Sequence, residues 1–211
     1  LVKAGEENKN IVALTGDLKE STRIEEFANK FPERFFEVGV AEQNLITISA
    51  GLANSGKIPF ASSYATFSPG RNWEQIRTTI CLNDRPVRII GSHAGISVGP
   101  DGATHQMLED IALMRVLPNM VVIAPGDSLE ADRATRALAE DKRPAYLRLA
   151  REATPIITTE ETPFTIGKAY LYREGTDITL MTTGTMTYQA LVAADKLAKD
   201  NISVEVLHIP T

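Results

Sequence analysis

The sequence predicts an α/β fold in which helices pack on both faces of a parallel sheet. Two observations lead to this class. Short runs rich in β-branched and apolar residues recur along the chain, and we interpret each as a strand buried on both faces. Segments with apolar residues at helical spacing separate these runs, and this alternation is typical of parallel sheets with crossover helices.

In chain order, the predicted strands are 11–14, 35–38, 87–90, 121–124 and 145–149, and the predicted helices are 24–31, 42–53, 73–82, 107–116 and 129–138. A polar stretch containing threonine and proline interrupts this pattern at residues 154–163. Beyond it, a strand at 178–181, a helix at 188–198 and a strand at 204–208 predict one further βαβ unit. We therefore predict a first domain over residues 1–153, a linker over 154–167 and the beginning of a second, incomplete α/β domain over 168–211.

The composition argues against several classes of function. With 211 residues, 43% of them hydrophobic, the chain can fill a sizeable core. Its net charge of -5 arises from mixed charges without the basic stripe that nucleic-acid binding requires. No apolar run approaches the roughly 20 residues that span a bilayer, and the first residues lack the apolar core of a signal peptide. We therefore expect a cytoplasmic protein that binds neither nucleic acid nor membrane.

Cysteine and histidine are scarce. The single Cys81 excludes an internal disulfide, and three histidines are too few for a structural zinc cluster, so no metal site is predicted within the chain. Neither Leu1 nor Thr211 resembles a natural terminus, which indicates a fragment or a partly ordered chain.

Polar residues follow several of the predicted strands. Asp17 comes after the first strand, Glu42 after the second, His93 after the 87–90 run and Arg151 after the 145–149 run. In open α/β sheets, ligands bind where the carboxyl ends of the strands meet. The sequence therefore predicts a ligand site at this edge of the sheet.

Glu42 opens a helix whose following turns are small or apolar, so we expect its carboxylate to be buried. Burial disfavours the charged form and raises the pKa of a carboxyl group, which the helix N-terminus partly opposes. Such a group can donate a hydrogen bond near neutral pH. Alternatively, Glu42 only satisfies the N–H groups at the helix start.

The segment 91–105 carries four glycines together with His93, Asp101 and His105. Glycines allow a close backbone approach to a ligand, and histidine and aspartate are common groups for proton transfer and hydroxyl binding. The segment lacks the GK[ST] of a phosphate-binding P-loop. A purely structural loop, with Asp101 in a turn and His105 at a helix start, remains open.

Tyr64 and Phe67 precede a turn, where a ring can stack on a flat heterocycle or simply belong to the core. Arg151 has the fork geometry that binds an anion, although a surface ion pair is the commoner use of one arginine.

Across residues 11–151, these pieces resemble the pyrimidine-binding domain of transketolase in order and spacing, and the second unit resembles the opening of that family's C-terminal domain. The most specific segments are GSHAGISVGPDGATHQMLEDIALMRVLPN and VGVAEQN. The resemblance implies the C-terminal subunit of a split transketolase, a thiamine diphosphate-dependent transferase of the pentose phosphate pathway that moves a two-carbon ketol unit from a ketose phosphate to an aldose phosphate.

The resemblance also implies roles around the cofactor. Glu42 is similar to the glutamate that hydrogen-bonds N1′ of the aminopyrimidine and favours its imino tautomer. Phe67 is similar in position to the aromatic residue that stacks on the pyrimidine ring, with Tyr64 nearby. Asp17 matches an acidic residue near the thiazolium side.

Further roles concern the substrate. His93 and His105 are expected to hydrogen-bond the ketose hydroxyls and the two-carbon unit during transfer, as catalytic residues. Asp101 is expected to bind the hydroxyl next to the aldehyde carbon, and Ser21 and Arg151 match donors to the sugar phosphate. Polar pockets of this kind reject analogues that lack the hydroxyl group.

The sequence departs from the family pattern in three places. The diphosphate and magnesium motif, a GDG followed later by an asparagine, is absent, because Gly16-Asp17 and Gly126-Asp127 lack its continuation. The resemblance therefore implies an N-terminal partner subunit that holds the diphosphate and Mg²⁺ or Ca²⁺, in a dimer of heterodimers. The stretch SPGRNWEQIR replaces an aromatic-rich segment, and a phosphate-contacting arginine expected upstream of Leu1 is missing.

Three other readings compete. Deoxyxylulose-phosphate synthase shares the THQ and DG elements and a YxTF stretch, but His93 is more typical of transketolase. The β subunit of 2-oxo acid dehydrogenases would not carry this histidine-rich loop. A non-catalytic subunit that only binds a partner is disfavoured by Glu42 together with both loop histidines.

Overall fold

The computed structural model describes residues 1–211, which form two compact units. One unit comprises Leu1–Val122 and Leu138–Glu152, and the other comprises Ile123–Ala137 and Ala153–Thr211.

A six-stranded parallel sheet with accompanying helices confirms the predicted α/β class, and its strand order is β2-β1-β3-β4-β6-β5. Its elements in chain order are α1 (Val2–Glu7), β1 (Ile11–Thr15), α2 (Glu25–Lys30), β2 (Phe35–Glu37), α3 (Glu42–Asn54), β3 (Ile58–Tyr64), α4 (Trp73–Gln75), β4 (Arg88–Ser92), α5 (Asp110–Arg115), β5 (Val121–Ile123), α6 (Ser128–Glu140) and β6 (Ala145–Arg148). A turn of π-helix, Ile76–Cys81, continues α4, and 3₁₀ turns lie at Pro32–Arg34 and Gly99–His105.

Strand β1 shows why the apolar runs are continuous. Its residues are all buried, and alternate side chains enter different clusters. Val12 and Leu14 pack with Leu45 and other residues, whereas Ile11 and Ala13 pack in a second cluster. Because successive side chains of a strand point to opposite faces, both faces of β1 are covered by core.

The prediction missed β3, which lies between β1 and β4. Pro59, Ser62 and Ser63 break the apolar pattern that marked the other strands. The structure nevertheless buries both serines, and the Thr15 hydroxyl donates a hydrogen bond of 2.9 Å to the Ser62 carbonyl. The structure thus buries small polar side chains in a strand that the apolar pattern does not mark. Helix α1 was also not predicted.

The second unit contains β7 (Tyr170–Arg173), β8 (Ile178–Thr182), α7 (Met186–Leu197) and β9 (Val204–His208), with strand order β7-β9-β8. Strands β8 and β9 pair in parallel on either side of α7 in sequence, which confirms the predicted βαβ unit. Strand β7 was not predicted and pairs antiparallel with β9. No helix of the structure is long and apolar enough to cross a bilayer.

Candidate active site

The predicted site residues follow strands whose register brings their carboxyl ends to one edge of the sheet. Tyr64 of β3 lies beside Ser92 of β4, and Gly91 lies beside Arg148 of β6. The following loops are tied together as well, because the Ala65 N–H donates to the Ser92 carbonyl at 2.7 Å.

A pocket of about 860 Å³, which we call the strand-end pocket, opens at this edge. Five of the predicted residues line it, namely Ser21, Tyr64, His93, Asp101 and Arg151. The rest of its lining is Glu20, Thr22, Arg23, Glu25, Ser92, Pro100, Leu149 and Ala150. Arg23 and the two glutamates were not singled out from the sequence. Arg23 follows Ser21 in an exposed turn that carries no periodic signal.

His93 is buried, with φ of 56° in the left-handed region. Its Nδ1 lies 2.8 Å from the Ser92 hydroxyl, and its ring stacks on Tyr64 with 4.0 Å between centroids. Burial and the positive charge of Arg151 hold the pKa of His93 below its usual value. The imidazole is therefore neutral at pH 7, a form that both donates and accepts a hydrogen bond.

The histidine-rich loop is closed at its base. The backbones of Gly95 and Met107 exchange hydrogen bonds of 2.8 and 3.2 Å. Between them, Asp101 is exposed beside the strand-end pocket. His105 is half-buried, with Nδ1 2.9 Å from the Thr104 hydroxyl. The closed base fixes the positions from which these side chains act.

Glu42 opens α3 and is 4% exposed, so its expected burial is confirmed. Its two carboxylate oxygens accept hydrogen bonds of 3.1 and 3.2 Å from one Nη of Arg71. The carboxylate thus binds a side chain from another segment. It borders a second pocket of about 700 Å³, which we call the helix pocket. The other residues lining this pocket are Val40, Ala41, Gln43, Asn44, Thr47, Arg71 and Gln75.

Phe67 also contacts Arg71. The Arg71 guanidinium lies over the Phe67 ring, 4.0 Å from its centroid. Tyr64 stacks on Phe67 with 5.8 Å between centroids and 16° between planes, and the edge of His105 meets the ring at 5.3 Å. Arg71 thus contacts both Glu42 and Phe67.

The segment SPGRN positions Arg71. Asn72 is fully buried and donates hydrogen bonds to the Glu42 carbonyl at 2.9 Å and to the Ser68 hydroxyl at 3.1 Å. A Cβ at Gly70 would lie 1.9 Å from the Thr66 carbonyl oxygen, so only glycine fits there. Sequence reasoning noted this segment only as a departure from the family pattern and missed Arg71.

Two predicted residues are placed less tightly. Asp17 is exposed and lines neither pocket, although its backbone N–H donates to the Glu37 carboxylate at 2.7 Å. Arg151 lines the strand-end pocket and also pairs with Glu152 at 2.5 Å. No group of three histidine, cysteine, aspartate or glutamate side chains is placed to hold a metal ion.

The chain matches two family descriptions. Residues 1–156 match the transketolase pyrimidine-binding domain, and residues 167–211 match the transketolase C-terminal domain.

Individual proteins match over nearly the whole chain. The "Putative transketolase C-terminal section" of Methanocaldococcus jannaschii is 47% identical, with 100% of this chain and 67% of the relative covered. The 6-deoxy-6-sulfo-D-fructose transketolase subunit SqwH of Clostridium sp. (strain MSTE9) is 38% identical, with 100% and 66% covered. A solved structure described as a split gene transketolase, inactive β4 tetramer, superposes with a TM-score of 0.90 at 42% identity, with 99% and 67% covered. This chain thus spans about two thirds of the length of each of these proteins.

Proposed function

The chain belongs to the transketolase family, and we propose that it is the subunit of a split enzyme that supplies the pyrimidine side of a thiamine diphosphate site for two-carbon ketol transfer between sugar phosphates. The observation that carries this proposal is the buried carboxylate of Glu42 beside the stacked ring of Phe67. The assignment of residues 1–153, 154–167 and 168–211 to two domains and a linker is part of the proposal.

The residues around the helix pocket fit the aminopyrimidine. Glu42 would hydrogen-bond its N1′ from a carboxyl group that is shielded from water. Phe67 would stack on the ring, and Tyr64 supports Phe67 from its stacked position. When bound, the cofactor supplies a nucleophilic carbon and an electron sink, while the protein positions and protonates.

The strand-end pocket fits the sugar. His93 is neutral and held by Ser92, so it can hydrogen-bond a ketose hydroxyl without a charge. His105 would assist it, and Asp101 would accept a hydrogen bond from the hydroxyl next to the aldehyde carbon. Ser21 and Arg151 would hold the phosphate.

Arg23 adds a second positive charge to the proposed phosphate-binding end of this pocket. It lines the same cavity as Arg151, so two guanidinium groups border the proposed phosphate position. Substrate identity remains part of the test, because a similar subunit is named for 6-deoxy-6-sulfo-D-fructose.

A partner subunit completes the proposed site. This chain offers no metal cluster of its own, so we assign the diphosphate and Mg²⁺ or Ca²⁺ to an N-terminal subunit. The exposed face of α3 carries Thr47 and Gly51, one helical turn apart, and a Cβ at Gly51 would meet nothing within 4 Å. Such a small-residue face suits close packing of a second chain. A similar split-gene protein is described as inactive when it forms a β4 tetramer. We propose a cytoplasmic dimer of heterodimers.

The test is two-carbon transfer from xylulose 5-phosphate to ribose 5-phosphate with thiamine diphosphate and Mg²⁺. It compares this chain alone with a mixture of this chain and a candidate N-terminal subunit. In parallel, 6-deoxy-6-sulfo-D-fructose is assayed as the donor. Activity only in the mixture, lost in Glu42→Ala and retained in the exposed control Glu26→Gln, supports the proposal. Full activity of the Glu42→Ala assembly would refute it.

One alternative has a specific observation in its favour. A 1-deoxy-D-xylulose-5-phosphate synthase is 38% identical over 95% of this chain. Pyruvate with glyceraldehyde 3-phosphate separates the two, since turnover of that pair without ketose turnover would assign the synthase activity.

A further inference from the structure

Arg71 makes the contacts that the proposed function gives to the aminopyrimidine. One Nη donates to both oxygens of Glu42 at 3.1 and 3.2 Å, and the guanidinium carbon lies over the Phe67 ring, 4.0 Å from its centroid. A heterocycle bonded to Glu42 and stacked on the same face of Phe67 would fill the same space. The guanidinium and the pyrimidine therefore exclude each other from this position.

Arg71 also supplies the partner that a buried carboxylate needs. The Glu42 carboxylate is 4% exposed, and its oxygens accept hydrogen bonds from Arg71. Because a buried charge without a partner is costly, Arg71 stabilises Glu42 while no cofactor is bound.

The structure allows the side chain to leave while the backbone stays. The Arg71 side chain is 49% exposed, whereas that of Glu42 is 4% exposed. Asn72 anchors the backbone next to Arg71 through its bond to the Glu42 carbonyl, and Gly70 fits against Thr66 without room for a Cβ. Rotation of this half-exposed side chain away from Glu42 requires no rearrangement of the loop.

We propose that Arg71 is a resident counter-ion that occupies the pyrimidine position in the free chain and is displaced when the aminopyrimidine binds Glu42. This inference rests on the proposed function. It explains why the segment SPGRN departs from the aromatic-rich family pattern, because an arginine at this point pairs with the Glu42 carboxylate when no cofactor is bound.

The test measures the affinity of the assembled enzyme, this chain with its N-terminal partner, for thiamine diphosphate in the presence of Mg²⁺ by calorimetry. Arg71→Met removes the competing group, and we expect the dissociation constant to fall about 3- to 30-fold, from typical exposed ion-pair and cation–π strengths. The matched control is Arg77→Met, since Arg77 is exposed and lies over Trp73 at 5.7 Å. An unchanged or weaker affinity in Arg71→Met, or equal tightening in Arg77→Met, overturns the inference.

Two further arms make the result decisive. Glu42→Gln is expected to weaken cofactor binding, and wild-type affinity in that variant would mean that the proposed function has failed, whatever Arg71 does. If Arg71→Met does not fold, phenylglyoxal labelling of the wild-type assembly replaces it. We expect cofactor to increase modification of Arg71 relative to Arg77, and unchanged or reduced labelling of Arg71 refutes its displacement.

Discussion

Replacement of Gly70 by alanine tests whether the SPGRN segment is built to reach Glu42. The new Cβ would lie 1.9 Å from the Thr66 carbonyl oxygen, against 3.4–4 Å for an ordinary contact. The backbone must therefore shift by more than an ångström, which breaks the bonds that Asn72 donates and the 2.9 Å bond from the Arg71 N–H to the Phe67 carbonyl. At typical net values for three hydrogen bonds, we expect a loss of about 2–4 kcal/mol in the free energy of unfolding.

The assay is thermal unfolding followed by the fluorescence of Trp73, the single tryptophan of the chain, whose indole N–H donates to the Leu113 carbonyl at 2.8 Å. The expected fall in Tm for Gly70→Ala is about 5–15 °C for a unit of this size. The control is Gly51→Ala in α3, where a Cβ meets nothing within 4 Å. That change should stabilise the free chain by about 0.5–1 kcal/mol, because alanine favours helix over glycine. A Tm for Gly70→Ala equal to that of the wild type would refute the reasoning.

Three further predictions follow from buried titratable groups. Burial, with a smaller contribution from Asp84, raises the pKa of Cys81 to about 11, so the native chain should resist a thiol reagent at pH 8 and react once unfolded in urea; rapid native labelling would contradict this. The pKa of His93 is lowered by burial and Arg151, so stability is complete above the unfolded value near 6.5 and decreases as the pH falls below it. His93→Gln should reduce the change of the urea unfolding midpoint between pH 5 and 8. A dependence on pH as steep as that of the wild type would show that His93 is not its source. Burial alone would raise the pKa of Asp127, but hydrogen bonds from backbone N–H groups and Thr158 lower it. Asp127→Asn should therefore lower the free energy of unfolding by about 1.5–3 kcal/mol above about pH 4, and this difference should shrink as the pH falls further. The loss is measured as faster hydrogen exchange of β9, a strand of the same unit. Unchanged exchange would refute the prediction.

The fold class and the family were predictable because their signals are local. Strand β1 is buried on both faces, and the alternation of such apolar runs with helical patterns was sufficient to predict a parallel sheet. Glu42 was expected to be buried because the residues after it are small or apolar, and α3 packs them against the sheet. In each case a property of the segment itself determined its environment.

Strand β3 and Arg71 could not be predicted in this way. Strand β3 contains Ser62 and Ser63, polar residues that are buried in a strand between β1 and β4. Arg71 is distant in sequence from Glu42, and their contact depends on the fold of the intervening strand and turn. Both features arise from tertiary packing, about which the periodicity of the sequence carries no information. The roles assigned to the individual site residues remain predictions.

The missed strand also determines how the two pockets relate. Tyr64, the last residue of β3, lines the strand-end pocket and stacks on His93. It also stacks on Phe67, which carries the Arg71 guanidinium at the helix pocket. The stacked rings therefore connect a residue of the strand-end pocket, Tyr64, to a residue of the helix pocket, Arg71, through Phe67. Because β3 lies between β1 and β4, the strand end that carries Tyr64 is anchored in the centre of the sheet.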